Sequence, residues 1–206
     1  RQRQMCIRDR YGDDPCALFM PKTKFADNAM DEKTTRLIAQ MHKAITIIQF
    51  KLEGEIIRRR PEFEMDDRML LHHIDLKRGV VHIDGKDYTL KDTNWPTLEA
   101  KPTYSTSIEE EDLIRKILHS FESSEKMKKH MRCFFRHGGM YQVCNSNLLF
   151  HASIPMNPDG TFKSVRILGQ DYKGRALLDR VDQLIRTAYF KTGEQEEVEY
   201  AHDYIW

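Results

Sequence analysis

Charge of one sign, paired cysteines and long apolar runs are all scarce in this 206-residue chain. Its 33 Lys and Arg nearly balance 32 Asp and Glu, so the composition encodes neither a basic nucleic-acid surface nor an acidic tail. No apolar run reaches the roughly 20 residues a membrane-spanning helix needs, and the N-terminus lacks the apolar centre of a secretory signal. The four cysteines, Cys6, Cys16, Cys133 and Cys144, form no C-x-x-C pair and no zinc-like spacing, so they read as reduced structural thiols. These absences point to a cytoplasmic protein with no membrane or nucleic-acid partner. What is present, 40% hydrophobic and 32% charged residues, is enough for one sizeable core or two small ones, and no internal repeat divides it.

Both ends look unlike the rest. Residues 1–10 carry four arginines and one aspartate, share no periodicity with the residues after them, and read as an adapter-derived, non-native end. Without them the formal charge moves from +1 to −2, so the slight basic excess is an end effect. The chain closes inside the aromatic run Tyr200-Ala-His-Asp-Tyr-Ile-Trp206, and the expectation is an internal fragment.

Between these ends the hydrophobic pattern predicts a long helix over 31–59, with Asp27-Asn28 and Asp31 offering caps, Leu37, Met41, Ala44, Ile45, Ile48, Leu52 and Ile56 at helical spacing and Pro61 as its stop. Ile47 and Phe50 widen the stripe, so burial on more than one side is expected. A short helix over 66–74 comes next, then a hairpin over 79–90 about Asp84-Gly85. Residues 91–106 read as a linker, and Ser107-Ile-Glu-Glu110 opens the next helix as a capping box. Helices to 122 and over 124–137, strands over 140–144, 148–152 and 161–168, and an amphipathic helix over 175–190 complete the pattern. The expected organisation is α+β, with a mostly helical unit over 11–100 containing the hairpin and a mixed unit over 101–206.

One histidine is placed where a ligand would be useful. The stretch Asn145-Ser-Asn-Leu-Leu-Phe-His-Ala-Ser-Ile-Pro155 reads as a buried apolar strand delivering His151 into a loop of small residues. The bland alternative is an imidazole bonded to a carbonyl. Arg58-Arg59-Arg60 invites phosphate binding, but the simpler reading is a solvated helix C-terminus, where cations complement the macrodipole. Arg132 and Arg136, with His137, lie on the helix preceding the His151 strand, and the same two readings apply to them. Adjacent His72-His73 point about 100° apart on a helix and suit a surface better than one ion. Lys126, Lys128, Lys129 and His130 read as an exposed helix face.

The long helix from Leu37 to Phe63, the loop Asp92-Thr-Asn-Trp-Pro96, Ser124-Glu-Lys-Met127, the run from Tyr141 to Gly160, Lys173-Gly-Arg-Ala-Leu-Leu-Asp-Arg-Val-Asp182 and Tyr204-Ile-Trp206 together resemble the Firmicutes-type, or class III, fructose-1,6-bisphosphatases. The resemblance implies part of a calcineurin-like metallophosphoesterase α/β sandwich carrying a mostly helical insertion with a β-hairpin. It implies hydrolysis of fructose 1,6-bisphosphate in gluconeogenesis at a dinuclear manganese centre, a small-molecule sugar bisphosphate as partner, and it allows a homo-oligomer. His151 matches the superfamily's strand-end metal histidine, with Ala152-Ser153 where glycines are common. Arg136 and Arg132 are then candidates for the substrate's distal phosphate. The superfamily's Asp-x-His, Gly-Asp-x-x-Asp-Arg-Gly and Gly-Asn-His-Asp/Glu motifs do not occur in these residues. Two other readings stay open: a metallophosphatase of another phosphomonoester, and a non-catalytic interaction domain.

Overall fold

The computed structural model describes residues 10–22, 31–98, 104–150 and 153–206. Helix and strand are mixed in an α+β arrangement. The chain divides into two compact units, Arg1–His119 and Ser120–Trp206, so the division falls inside a helix and later than the boundary expected near residue 100.

The first unit is organised by α1 (Glu32–Arg59). Asp31 caps it, accepting a hydrogen bond from the Thr34 amide at 2.9 Å, and the helix gives way to a 3-10 turn at Pro61–Phe63. The buried positions are Ala39, Gln40, Lys43, Ala44, Ile47, Ile48, Lys51, Gly54 and Ile57, whereas Met41 and Ile45 are exposed. Ala44, Ile47 and Ile48 of the expected stripe are thus buried, but Met41 and Ile45 face solvent and the buried face takes in two lysines instead. Around it pack Tyr11, Cys16, Met69, Leu71, Leu98 and Tyr104. The Tyr104 ring lies so close to the α1 backbone that a Cβ on Gly54 would fall 1.9 Å from its Cδ1.

After α1 the expected short helix is instead a pair of 3-10 turns, Asp66–Arg68 and Leu70–His73. Next comes a three-stranded antiparallel sheet of β1 (Ile74–Asp75), β2 (Val80–Ile83) and β3 (Lys86–Thr89). The β2–β3 turn is as the sequence predicts, with Asp84 and Gly85 both at positive φ, 50° and 76°, matching the twist a two-residue hairpin needs. The short β1 edge has no distinctive sequence signal. The helix α2 (Ile108–Glu122) opens on the expected capping box: Ser107 Oγ accepts from the Glu110 amide, and Glu110 accepts from the Ser107 amide at 2.8 Å.

The second unit contains α3 (Glu125–His137), capped by Ser124. It also contains the hairpins β4 (Tyr141–Cys144) with β5 (Asn147–Phe150) and β6 (Val165–Ile167) with β7 (Gln170–Tyr172), and the helices α4 (Gly174–Phe190) and α5 (Gln195–Ile205). Its small core joins Leu177, Leu178, Leu184 and Ala188 of α4 to Tyr200 and Ala201 of α5. Strand β7 and helix α5 go beyond the sequence pattern: the first is too short and polar to stand out, and the second coincides with the closing aromatic run. Strand β5 corrects a further expectation, because every one of its residues is exposed rather than buried.

Candidate functional site

His151, the expected metal ligand, and Ala152 lie outside the described residues. The strand before them, β5, pairs with β4 in the register Tyr141↔Phe150 and Val143↔Leu148. Tyr141 anchors the hairpin to α4: its hydroxyl donates to Asp179 Oδ1 at 3.0 Å, and the Arg175 guanidinium lies 5.9 Å from its ring centroid. The chain therefore reaches residue 151 from a hairpin whose open end is tied to the first turns of α4.

Arg132 and Arg136 are both exposed on α3, one turn apart. Arg136 has neither a hydrogen bond nor an ion pair among the described residues, and Arg132 is within electrostatic reach of Glu125. Guanidinium groups four residues apart on one helix face can meet a single anion. What holds this end of α3 in place is Arg186 of α4, a residue that spacing does not single out. Its Nη1 donates to the Phe135 carbonyl at 2.7 Å, its Nη2 to the Gly138 carbonyl at 3.1 Å, and its Nε to Asp182 at 2.7 Å. One fork thus satisfies carbonyls that a helix C-terminus leaves open, and its i,i+4 aspartate orients it. The Phe135 ring stacks on Tyr189 at 4.2 Å beside it. The only sequence signal is the Asp182–Arg186 spacing, which reads equally as a surface ion pair.

The arginine run and the histidine pair singled out in the sequence lie in the first unit. Arg58 and Arg59 are exposed in the last turn of α1, and Arg60 pairs with Glu62 at 3.8 Å. His72 and His73 are exposed on a 3-10 turn, and the His72 ring meets Tyr104 edge-on.

A buried polar cluster in the first unit has no counterpart in the sequence pattern. Lys43 Nζ, almost wholly buried, lies 2.7 Å from both Asp14 Oδ2 and Asp92 Oδ2. Asp14 also accepts from the Cys16 amide at 2.8 Å and from Asn94 Nδ2 at 2.9 Å, and the Trp95 indole donates to the Asp92 carbonyl. Burial works against the charge on Asp14, but the Lys43 ammonium and the Cys16 amide outweigh it and hold the carboxyl below its ordinary range. Burial likewise works against Lys43, and the two carboxylates more than reverse it, raising its pKa. The Cys16 thiol is pushed up to about 11, first by burial and then by Asp14, so it is an inert thiol. A second buried pair, Lys51 with Glu110 at 2.7 Å, has Lys51 also donating to the Thr97 carbonyl. Both lysines fasten the 92–98 loop, expected to be a linker, onto α1.

An open, shallow cleft lies beside these pairs, with Tyr11, Ala44, Ile48 and Leu113 among its lining and Glu109 and Asp112 among its polar residues. Arg10 and Lys116 also line it and pair with Glu109 and Asp112, so its charged groups are already matched to one another around an apolar floor. Among the described residues no three His, Cys, Asp or Glu side chains converge as a metal centre requires. The described residues therefore do not form a dinuclear site by themselves.

The comparisons with known proteins cover the same stretch. The family model described as Firmicute fructose-1,6-bisphosphatase matches residues 4–206. Three similar proteins each carry the name fructose-1,6-bisphosphatase class 3. The one from Parabacteroides distasonis is 96% identical over 198 residues, the one from Bacteroides fragilis 61% over 198, and the one from Clostridioides difficile 47% over 198. Each alignment takes in 96% of this chain but 30% of the relative, so the chain spans about 30% of the length of the curated proteins it matches. No solved structure matches it. A match that begins near the first residue and runs to the last, through every segment on which the resemblance rested, places the chain in the Firmicute fructose-1,6-bisphosphatase family.

Proposed function

We propose that the longer protein to which these residues correspond hydrolyses fructose 1,6-bisphosphate to fructose 6-phosphate and phosphate, in the cytoplasm and in gluconeogenesis. The observation that carries this reading is the near-complete match of the chain to proteins bearing that name. His151 would supply one imidazole to a dinuclear manganese centre, since neutral imidazole with carboxylates suits that ion, and the remaining ligands would come from outside these residues. When bound, such a centre supplies a hydroxide nucleophile and clamps the phosphoryl oxygens.

This chain's own contribution to the substrate would be charge at the phosphate that does not react. Arg136 is exposed and has no partner among the described residues, and its helix end is fixed by Arg186 before any ligand arrives. A guanidinium carried on an anchored helix end can chelate phosphate oxygens without first giving up another partner. Arg132, one turn earlier, would assist it. No helix among the described residues is long and apolar enough to cross a membrane.

Steady-state hydrolysis of fructose 1,6-bisphosphate by the longer protein with manganese tests the activity, and Arg136→Ala tests the residue. The variant is expected to raise KM about tenfold or more with little change in kcat, the loss of one charge-assisted phosphate contact. An unchanged KM removes Arg136 from the site. Preference for a monophosphate ester over the bisphosphate removes the substrate assignment.

A further inference from the structure

Four charged side chains stand in one row along α4. Arg175, Asp179, Asp182 and Arg186, at spacings of four, three and four, lie within about 60° of one another around the helix. The row faces one segment, residues 135–141, which leaves α3 and enters β4. Arg175 and Asp179 meet Tyr141 at its far end, and Arg186, oriented by Asp182, takes the carbonyls of Phe135 and Gly138 at its near end. Those two carbonyls bracket Arg136. The Phe135 carbonyl belongs to the peptide unit that ends at the Arg136 nitrogen, so the 2.7 Å bond from Arg186 acts on the backbone of Arg136 itself. Rotation of this turn is fixed as well: the Phe135 ring is buried, stacks on Tyr189 at 4.2 Å and lies 5.9 Å from the Arg186 guanidinium carbon. The turn after it is tight, because the Gly138 amide donates to the Phe134 carbonyl at 2.6 Å and a Cβ on Gly138 would stand 2.7 Å from that same oxygen. Water satisfies the last carbonyls of an exposed helix without ordering a long side chain. A half-buried arginine committed to them, with its own aspartate, therefore fixes a position rather than merely filling a hydrogen-bond vacancy.

We propose that Arg186, held by Asp182, is a positioning residue for the phosphate that is not removed, acting through Arg136, whose turn of α3 it keeps in place. This rests on the bisphosphatase reading above and on the place of Arg136 in it. The phosphate concerned is still present on the product, fructose 6-phosphate. Arg186 should therefore govern affinity for substrate and product alike, and not the chemical step.

Steady-state kinetics of the longer protein with manganese, for Arg186→Met, Arg136→Ala and the two combined, test it, with circular dichroism to establish folding. Arg186→Met should raise KM for fructose 1,6-bisphosphate and the inhibition constant of fructose 6-phosphate together, about threefold or more, with kcat within about twofold, and should add almost nothing to Arg136→Ala. Arg186→Lys, a point charge that replaces a fork, should recover only part of the loss. A role in stability alone would lower kcat or the folded fraction and would multiply with the effect of Arg136→Ala, and that result overturns the proposal. If Arg136→Ala raises KM and Arg186→Met does not, this proposal alone falls; if Arg136→Ala leaves KM unchanged, the reading of Arg136 falls and takes this proposal with it. Should Arg186→Met fail to fold, Asp182→Asn carries the same test: parallel rises in the two constants that do not add to Arg136→Ala support the proposal, and unchanged constants overturn it.

Discussion

Replacing Lys43 with Met should remove about 3 to 5 kcal/mol of stability, because it leaves the Asp14 and Asp92 carboxylates packed together without their cation. The side chain of Lys43 is 1% exposed and that of Asp14 is 8% exposed, so water cannot replace the lost ammonium without opening the core. Adding Asp14→Asn to Lys43→Met should restore part of the loss, since an amide can keep a hydrogen bond to the Cys16 amide without a buried charge. Denaturant melts of the four proteins in a double-mutant cycle measure this, and a Lys43→Met midpoint equal to that of the unmodified protein would show that the cluster is not coupled to folding.

The same cluster sets a pH window. The carboxyl of Asp14 is lowered from 3.8 in the folded protein, so its contribution is present above that value and is lost as pH falls through the lowered pKa. Lys43 is raised from 10.5, so its contribution is complete below 10.5 and is lost as pH rises through the raised pKa. The ion pair therefore supports folding evenly from weakly acidic to weakly alkaline solution, and the difference between the unmodified protein and Lys43→Met should shrink only beyond both limits.

Gly54→Ala is the second large effect, and two opposing terms decide its sign. In a helix interior alanine is favoured over glycine by about 1 kcal/mol. Against this, the new methyl would overlap the Tyr104 ring, whose Cδ1 and Cε1 lie 1.9 and 2.1 Å from its position. Tyr104 is 2% exposed and packs in the core, so its ring cannot swing into water without giving up burial. Overpacking of this kind costs about 1 to 3 kcal/mol, and a contact so far inside van der Waals distance belongs at the upper end. A net loss of about 2 kcal/mol is expected. Pairing Gly54→Ala with Tyr104→Ala should reveal coupling of the two sites, whereas a stabilised Gly54→Ala would mean that Tyr104 moves freely.

Local chemistry is what the sequence makes readable. Asp31 and Pro61 bracket α1, Ser107 and Glu110 form the capping box, and Asp84-Gly85 makes the turn, because each signal acts within a few residues. The buried face of α1 is not readable in the same way. Lys43 and Lys51 carry charges that spacing assigns to solvent, and only partners far along the chain, Asp14, Asp92 and Glu110, make their burial tolerable. Strand β5 departs from its expected burial for a related reason: its apolar letters describe a surface that these residues alone do not cover. Arg132 and Arg136 are legible as an exposed pair, but the fork of Arg186 that fixes their helix end depends on contact between α3 and α4 and leaves only an ambiguous i,i+4 pair in the sequence. The family assignment is legible as well, since it rests on several long segments in one order rather than on any single motif.

In the complete protein His151 is expected to be a metal ligand, and the proposed activity depends on it. Metal content and fructose 1,6-bisphosphate hydrolysis should be measured side by side for the longer protein and its His151→Ala variant, with circular dichroism to establish that both are folded. Loss of bound manganese together with turnover, about a hundredfold or more in the latter, is the expected result. A folded variant that keeps both its metal and its activity would contradict the central claim and leave His151 as a structural imidazole.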